Sequence, residues 1–102
     1  NEIINVGGLK VRPDEVEEFL KDIDVVKDCA CVGIPDPRGI SGECVKAFLV
    51  LKENSSLDQS KASIAKYLRS KIEEYKIPSV FEVIDKIPRT SSGKIQRQML
   101  KK

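Results

Sequence analysis

One lysine in this chain sits where a lysine can act on something outside its own domain. The stretch Ile87-Pro88-Arg89-Thr90-Ser91-Ser92-Gly93-Lys94-Ile95-Gln96 has no apolar residue between its two isoleucines. Pro88 and Gly93 punctuate it, and Thr90, Ser91 and Ser92 keep it hydrophilic, the pattern of a mobile surface loop. An ammonium is a compact point charge with three donors, and on such a loop it can be presented to a neighbour. Residue chemistry alone leaves Lys94 open between an ordinary surface lysine and a functional one. A phosphate-binding Walker loop is excluded. It needs a glycine where this chain has Pro88, and Ser or Thr where it has Ile95.

The other candidates are weaker. Cys29, Cys31 and Cys44 are an odd count, and the chain contains no histidine. A closed zinc site therefore cannot be assembled, and every His-based nucleophile or base arrangement falls away. No metal site is expected. The cysteines read as small buried apolar side chains in a reducing, cytoplasmic setting. Gly7-Gly8, taken alone, is a hairpin turn. The acidic run from Asp14 to Glu18 is the favoured charge at a helix N-terminus.

The elements that must position these residues follow from pattern. Ile3 to Val6 is extended, Gly7-Gly8 turns the chain, and Pro13 opens a helix with Val16, Phe19, Leu20 and Ile23 on one stripe. Val25 to Ile34 reads as a strand apolar on both faces, which predicts a central place in a sheet. Pro35 to Gly39 is a loop, and Cys44 to Leu51 a second strand with Val45, Ala47, Leu49 and Leu51 on one side. Asp58 is placed to cap a helix running from about Gln59 to Tyr75, which Pro78 ends. Val80 to Ile84 is a third strand, and a short basic helix is expected over 95–101. The order predicts an α+β fold: a small mixed or antiparallel sheet of about three strands flanked by helices, with a short N-terminal hairpin.

At 102 residues the chain is the size of one domain. Charged residues make up 33% but the net charge is only +2, which argues against a dedicated nucleic-acid binder. The basic tail of Lys94, Arg97, Lys101 and Lys102 lacks the interleaved aromatics of a single-strand binder. No apolar run reaches membrane-spanning length. The chain begins at Asn1 rather than Met and reads as a piece of something longer.

Three stretches together resemble the C-terminal domain of the adenylate-forming superfamily, which includes acyl-CoA synthetases, peptide-synthetase adenylation domains and luciferases. They are Asn5-Val6-Gly7-Gly8-Leu9-Lys10-Val11-Arg12-Pro13-Asp14-Glu15-Val16-Glu17, then Val32 to Asp36 with Gly42-Glu43 and Ala47 to Val50, then Tyr75 to Pro78 with Ile87 to Arg97. The resemblance covers essentially the whole chain, in order. It implies that residues 1–102 are the lid domain of an acyl-CoA synthetase whose large N-terminal domain and hinge precede it. The enzyme would use ATP, Mg2+ and CoA, with none of them expected on the isolated domain. Lys94 would be the adenylation lysine, on a loop supported by Pro88, Thr90, Ser92 and Gly93. Gly7, Gly8 and Lys10 would belong to the loop that lines the pantetheine tunnel after the domain rotates. Lys10 is open between contacting a phosphate or an acidic partner group and capping the turn. The Pro88-x-x-x-x-Gly93-Lys94 pattern also marks Lys94 for inactivating acetylation. Arg89 to Ser92 and Arg97 to Leu100 look more like a CoA ligase than like the same-family alternative, an amino-acid-activating domain loading a carrier protein. The alternative of a different class is a non-enzymatic basic interaction module.

Overall fold

The computed structural model describes residues 2–101. An antiparallel hairpin of β1 (Ile4–Val6) and β2 (Leu9–Val11) leads into helix α1 (Pro13–Lys21). Strands β3 (Val26–Pro35) and β4 (Glu43–Leu51) run antiparallel. Helix α2 (Leu57–Arg69) then crosses back to β5 (Val80–Val83), which lies parallel to β4. The fold is α+β, as the sequence predicts.

Two apolar layers sandwich the three-stranded sheet. On one face, Cys29, Cys31, Val45, Ala47 and Leu49 meet Val16 and Leu20 of α1, Ile64 and Leu68 of α2, and Ile4 and Val11 of the hairpin. On the other, Ala30, Val32 and Phe48 are covered by Ile84, Ile87, Ile95 and Leu100 of the C-terminal segment. A strand buried on both faces need not be central. The sheet order is β3-β4-β5, so β4 is the middle strand and β3 an edge, contrary to the sequence expectation. Side chains replace the missing strand along that edge, as described below.

Other boundaries shift for local reasons. Ser56, not Asp58, caps α2, its hydroxyl accepting from the Gln59 amide at 3.2 Å. That helix ends at Arg69 rather than running to Tyr75. Ile72 is still buried and Tyr75 half-buried, carried there by a turn and a 3-10 segment, Glu74–Lys76, so the apolar spacing outlasts the helix. The expected basic helix over 95–101 is a single 3-10 turn, Arg97–Met99. Lys102 and Asn1 lie outside the described residues.

Gly33 brings hairpin and sheet together: a β-carbon there would stand 3.1 Å from the Ile4 side chain. The thiols are free and buried, and burial pushes Cys29 up to about 12, so these sulfurs are inert packing atoms. No helix of the described residues is long and apolar enough to cross a membrane.

Candidate functional site

Lys94 leaves a tight hairpin rather than a loose loop. Arg89 and Ile95 form an antiparallel bridge, and the Gln96 amide donates to the Pro88 carbonyl at 2.9 Å. Between them the Gly93 amide closes a turn onto the Thr90 carbonyl at 2.9 Å, with Gly93 at φ 91°, where an L side chain would be strained. The Thr90 amide donates to the Lys94 carbonyl, and the Thr90 hydroxyl accepts from the Lys94 amide at 3.1 Å while meeting the Ser92 hydroxyl at 3.0 Å. Arg89 Nη1 donates to the Gly93 carbonyl at 2.8 Å. The Thr and Ser residues that look merely hydrophilic in sequence thus tie the turn together.

Lys94 itself is exposed, and its ammonium has no ion pair among the described residues. It faces a shallow cleft of about 270 Å³ that it shares with Ile3, Arg12, Asp14 and Arg97. The neighbouring cations are already engaged. Arg97 is bound to Glu17 at 2.7 Å and Lys101 to Glu2 at 3.0 Å, which leaves Lys94 as a free charge beside neutralised ones.

Gly7 and Gly8 form the two-residue turn of the β1-β2 hairpin, with φ of 58° and 88°. Two positive φ values in succession are what a type I′ turn demands. A β-carbon on either would meet nothing within 4 Å, so the space over the tip is open. Leu9, the next residue in the chain, is exposed. Lys10 is exposed on β2 and does not cap the turn; Asn5 does, its Oδ1 accepting from the Gly8 amide at 2.8 Å.

Asp36 supports that tip from below. Its buried carboxylate binds the Arg38 guanidinium at 2.9 Å and accepts from the amides of Arg38, Ile40 and Ser41. The Arg38 guanidinium, ahead of the amides, holds this carboxyl well below the usual carboxylate range. The loop so wound offers the Ser41 carbonyl to the Gly7 amide at 2.9 Å. Lys94 and Gly7-Gly8 do not converge. Ile3 and Arg12 at the open end of the hairpin line the lysine's cleft, and the glycines lie at its tip, roughly 10 Å further along the ribbon.

Beside the tip runs a groove of about 430 Å³ lined by Val6, Arg38, Lys61, Arg69, Tyr75 and Phe81. Cationic and aromatic side chains in one groove suit a phosphorylated, ring-bearing ligand. No cluster of metal-ligating side chains occurs among the described residues.

Sequence reasoning missed Glu17, Asp28, Asp36 and Asn5. Glu17 carried a readable signal, since it falls three residues before Leu20 on the apolar face of α1. Asp28, whose partner Arg89 lies far along the chain, carried none.

Comparison with known proteins adds the following. The profile of the AMP-binding enzyme C-terminal domain matches residues 15–94. The human mitochondrial acyl-coenzyme A synthetase ACSM1 is 38% identical over all of this chain, which spans 18% of that protein. An acyl-CoA synthetase structure from Brucella canis superposes with a TM-score of 0.88 at 29% identity, covering 99% of this chain and 18% of that one. The o-succinylbenzoate CoA synthetase of Bacillus subtilis, solved with its acyl-adenylate intermediate, gives 0.85 at 32% identity, covering 98% and 19%. The chain therefore spans about a fifth of the length of the proteins it matches.

Proposed function

This chain belongs to the family of AMP-binding enzyme C-terminal domains, and from that premise we propose that it is the lid domain of an ATP-dependent acyl-CoA synthetase. The whole enzyme would convert a carboxylic acid, ATP and CoA into acyl-CoA, AMP and pyrophosphate. The acid pocket, most of the nucleotide site and the Mg2+ that accompanies ATP belong to the large domain upstream.

The observation that carries the reading is the pairing of two unlike working ends: Lys94, on its own C-terminal turn beside the open end of the β1-β2 ribbon, and Gly7-Gly8 at the ribbon's tip. At one end Lys94 is a free ammonium on a fastened turn. Swung against the large domain, it would bridge a substrate carboxylate oxygen and an α-phosphate oxygen, offsetting the negative charge that gathers there during adenylate formation. Pro88, Thr90, Ser92 and Gly93 hold the turn that presents it. At the other end Gly7 and Gly8 offer bare backbone and open space, which suits the passage of a pantetheine arm. Lys10 and the groove with Lys61 and Arg69 lie nearby as donors for CoA phosphates. Acetylation of Lys94 would erase the charge and switch off the first step alone. The interaction-module reading is disfavoured by the engagement of Arg97 and Lys101 with carboxylates.

The two half-reactions, measured separately in the full-length enzyme, test the reading. Lys94→Ala should lower pyrophosphate release on the order of 10²–10³-fold and spare acyl transfer from preformed acyl-adenylate to CoA. Gly8→Leu should do the reverse. If both substitutions strike the same half-reaction, the division of labour fails.

A further inference from the structure

As the free edge of the sheet, β3 turns alternate backbone groups outward with no strand to meet them. Two of those amides are taken by carboxylates: the Cys29 N–H donates to Asp28 Oδ1 and the Cys31 N–H to Glu17 Oε2, each at 2.8 Å. Each carboxylate is gripped in turn by an arginine of the Lys94 hairpin. Arg89 Nη2 donates to Asp28 Oδ1 at 2.8 Å. Arg97 Nη2 reaches both Glu17 oxygens at 2.7 Å, while its Nε donates to the Cys31 carbonyl at 3.0 Å. The two arginines bracket Lys94 in sequence and strap its hairpin across the open edge.

We propose that Arg97, anchored by Glu17, is a positioning residue for the Lys94 ammonium during adenylate formation, with Arg89–Asp28 as a weaker second tether. The proposal rests on the role given to Lys94 above. Its physical basis is rigidity. A lysine side chain swings on four methylenes, so accuracy at its tip must come from the backbone beneath it. The planar Arg97 fork is fixed by bonds in two directions, one set to α1 and one to β3, and the pair is nearly closed to water, with side-chain exposures of 16% and 6%. Arg89–Asp28 is about a third exposed on each side, at 31% and 29%, and holds less firmly. Without the Arg97 fork the hairpin keeps its own turn bonds and the half-buried Ile95 but gains freedom to roll on the sheet.

Arg97→Lys keeps the cation and loses the fork. In the full-length enzyme it should slow pyrophosphate release at saturating ATP about 10²-fold, the usual result of a misplaced group. KM for ATP, and acyl transfer from preformed adenylate to CoA, should stay within about 2-fold, because an effect confined to the transition state appears in kcat. Arg89→Gln should act in the same direction and more weakly. Introduced into Lys94→Ala, Arg97→Lys should cost nothing further, because it works through the missing lysine. Equal loss in both half-reactions would reduce Arg97 to a structural role and overturn the proposal. So would a further loss on the Lys94→Ala background, or adenylation unchanged in Arg97→Lys. Lys94→Ala with unimpaired adenylation would remove the underlying reading instead, an outcome separable from every Arg97 result.

Discussion

Two hairpins in this domain are built on opposite principles. The Lys94 hairpin is fastened by side chains: two arginines, a threonine and a serine are spent on the protein itself, and one lysine is left over. The Gly7-Gly8 hairpin is fastened by backbone, by the Asn5 side chain and by the carboxylates of Glu43 and Asp36, and its tip carries no side chain at all. The first presents a charge and the second presents room. A charge must be aimed, so it sits on a rigid strap; room must only be kept clear, so it needs little more than a turn that stays a turn.

Substitutions can break or sharpen this contrast, the largest effect first. Glu17→Ala leaves the Arg97 guanidinium buried without its partner and the Cys31 amide unpaired. It should cost about 3–5 kcal/mol, read as a lowered urea midpoint of this chain. An equal cost from any single change at the glycine tip would erase the distinction. Gly8→Leu places a side chain at φ 88° and should lose roughly 1–2 kcal/mol from left-handed strain alone, since no atom lies within 4 Å to clash. Arg89→Gln, at a pair about a third exposed on each side, should change stability by no more than about 1 kcal/mol.

The last contrast is in pH. Asp36 holds its proton less tightly folded than unfolded, so its contribution is fully present above the ordinary value of 3.8 and is lost as pH falls through the lower folded value. Acid unfolding followed below about pH 4 should therefore be shallower in Asp36→Asn. An acid limb unchanged by the substitution would mean that the loop beneath the glycine tip does not depend on that carboxylate.

What was legible in the sequence was what is local. The spacing of Val16, Leu20 and Ile23 gives α1, the alternation of Val45, Ala47 and Leu49 gives β4, and paired glycines give the hairpin turn. The Lys94 segment was legible as a motif but not as a structure, because its order comes from partners far away: Arg97 meets a glutamate eighty residues earlier. The edge position of β3 is hidden from the sequence for the same reason. A strand whose open side is closed by side chains from α1 and the C-terminal segment shows the same run of apolar residues as one between two strands. The helices expected over 59–75 and 95–101 are shorter in the structure because apolar spacing continues through turns that still bury Ile72 and half-bury Leu100.

The strapped edge of β3 has a consequence for the life of the chain in a crowded cell. An uncovered strand edge is a template for pairing with a second copy, and β3 is long and apolar. The segment that presents Lys94 is also what blocks that template. A chain cut short before Arg89 would keep the Asp28 and Glu17 carboxylates on the Cys29 and Cys31 amides but lose the arginines that hold them there, leaving the edge more open to pairing. The arginines proposed to position Lys94 would thus also guard the strand edge against pairing with a second copy.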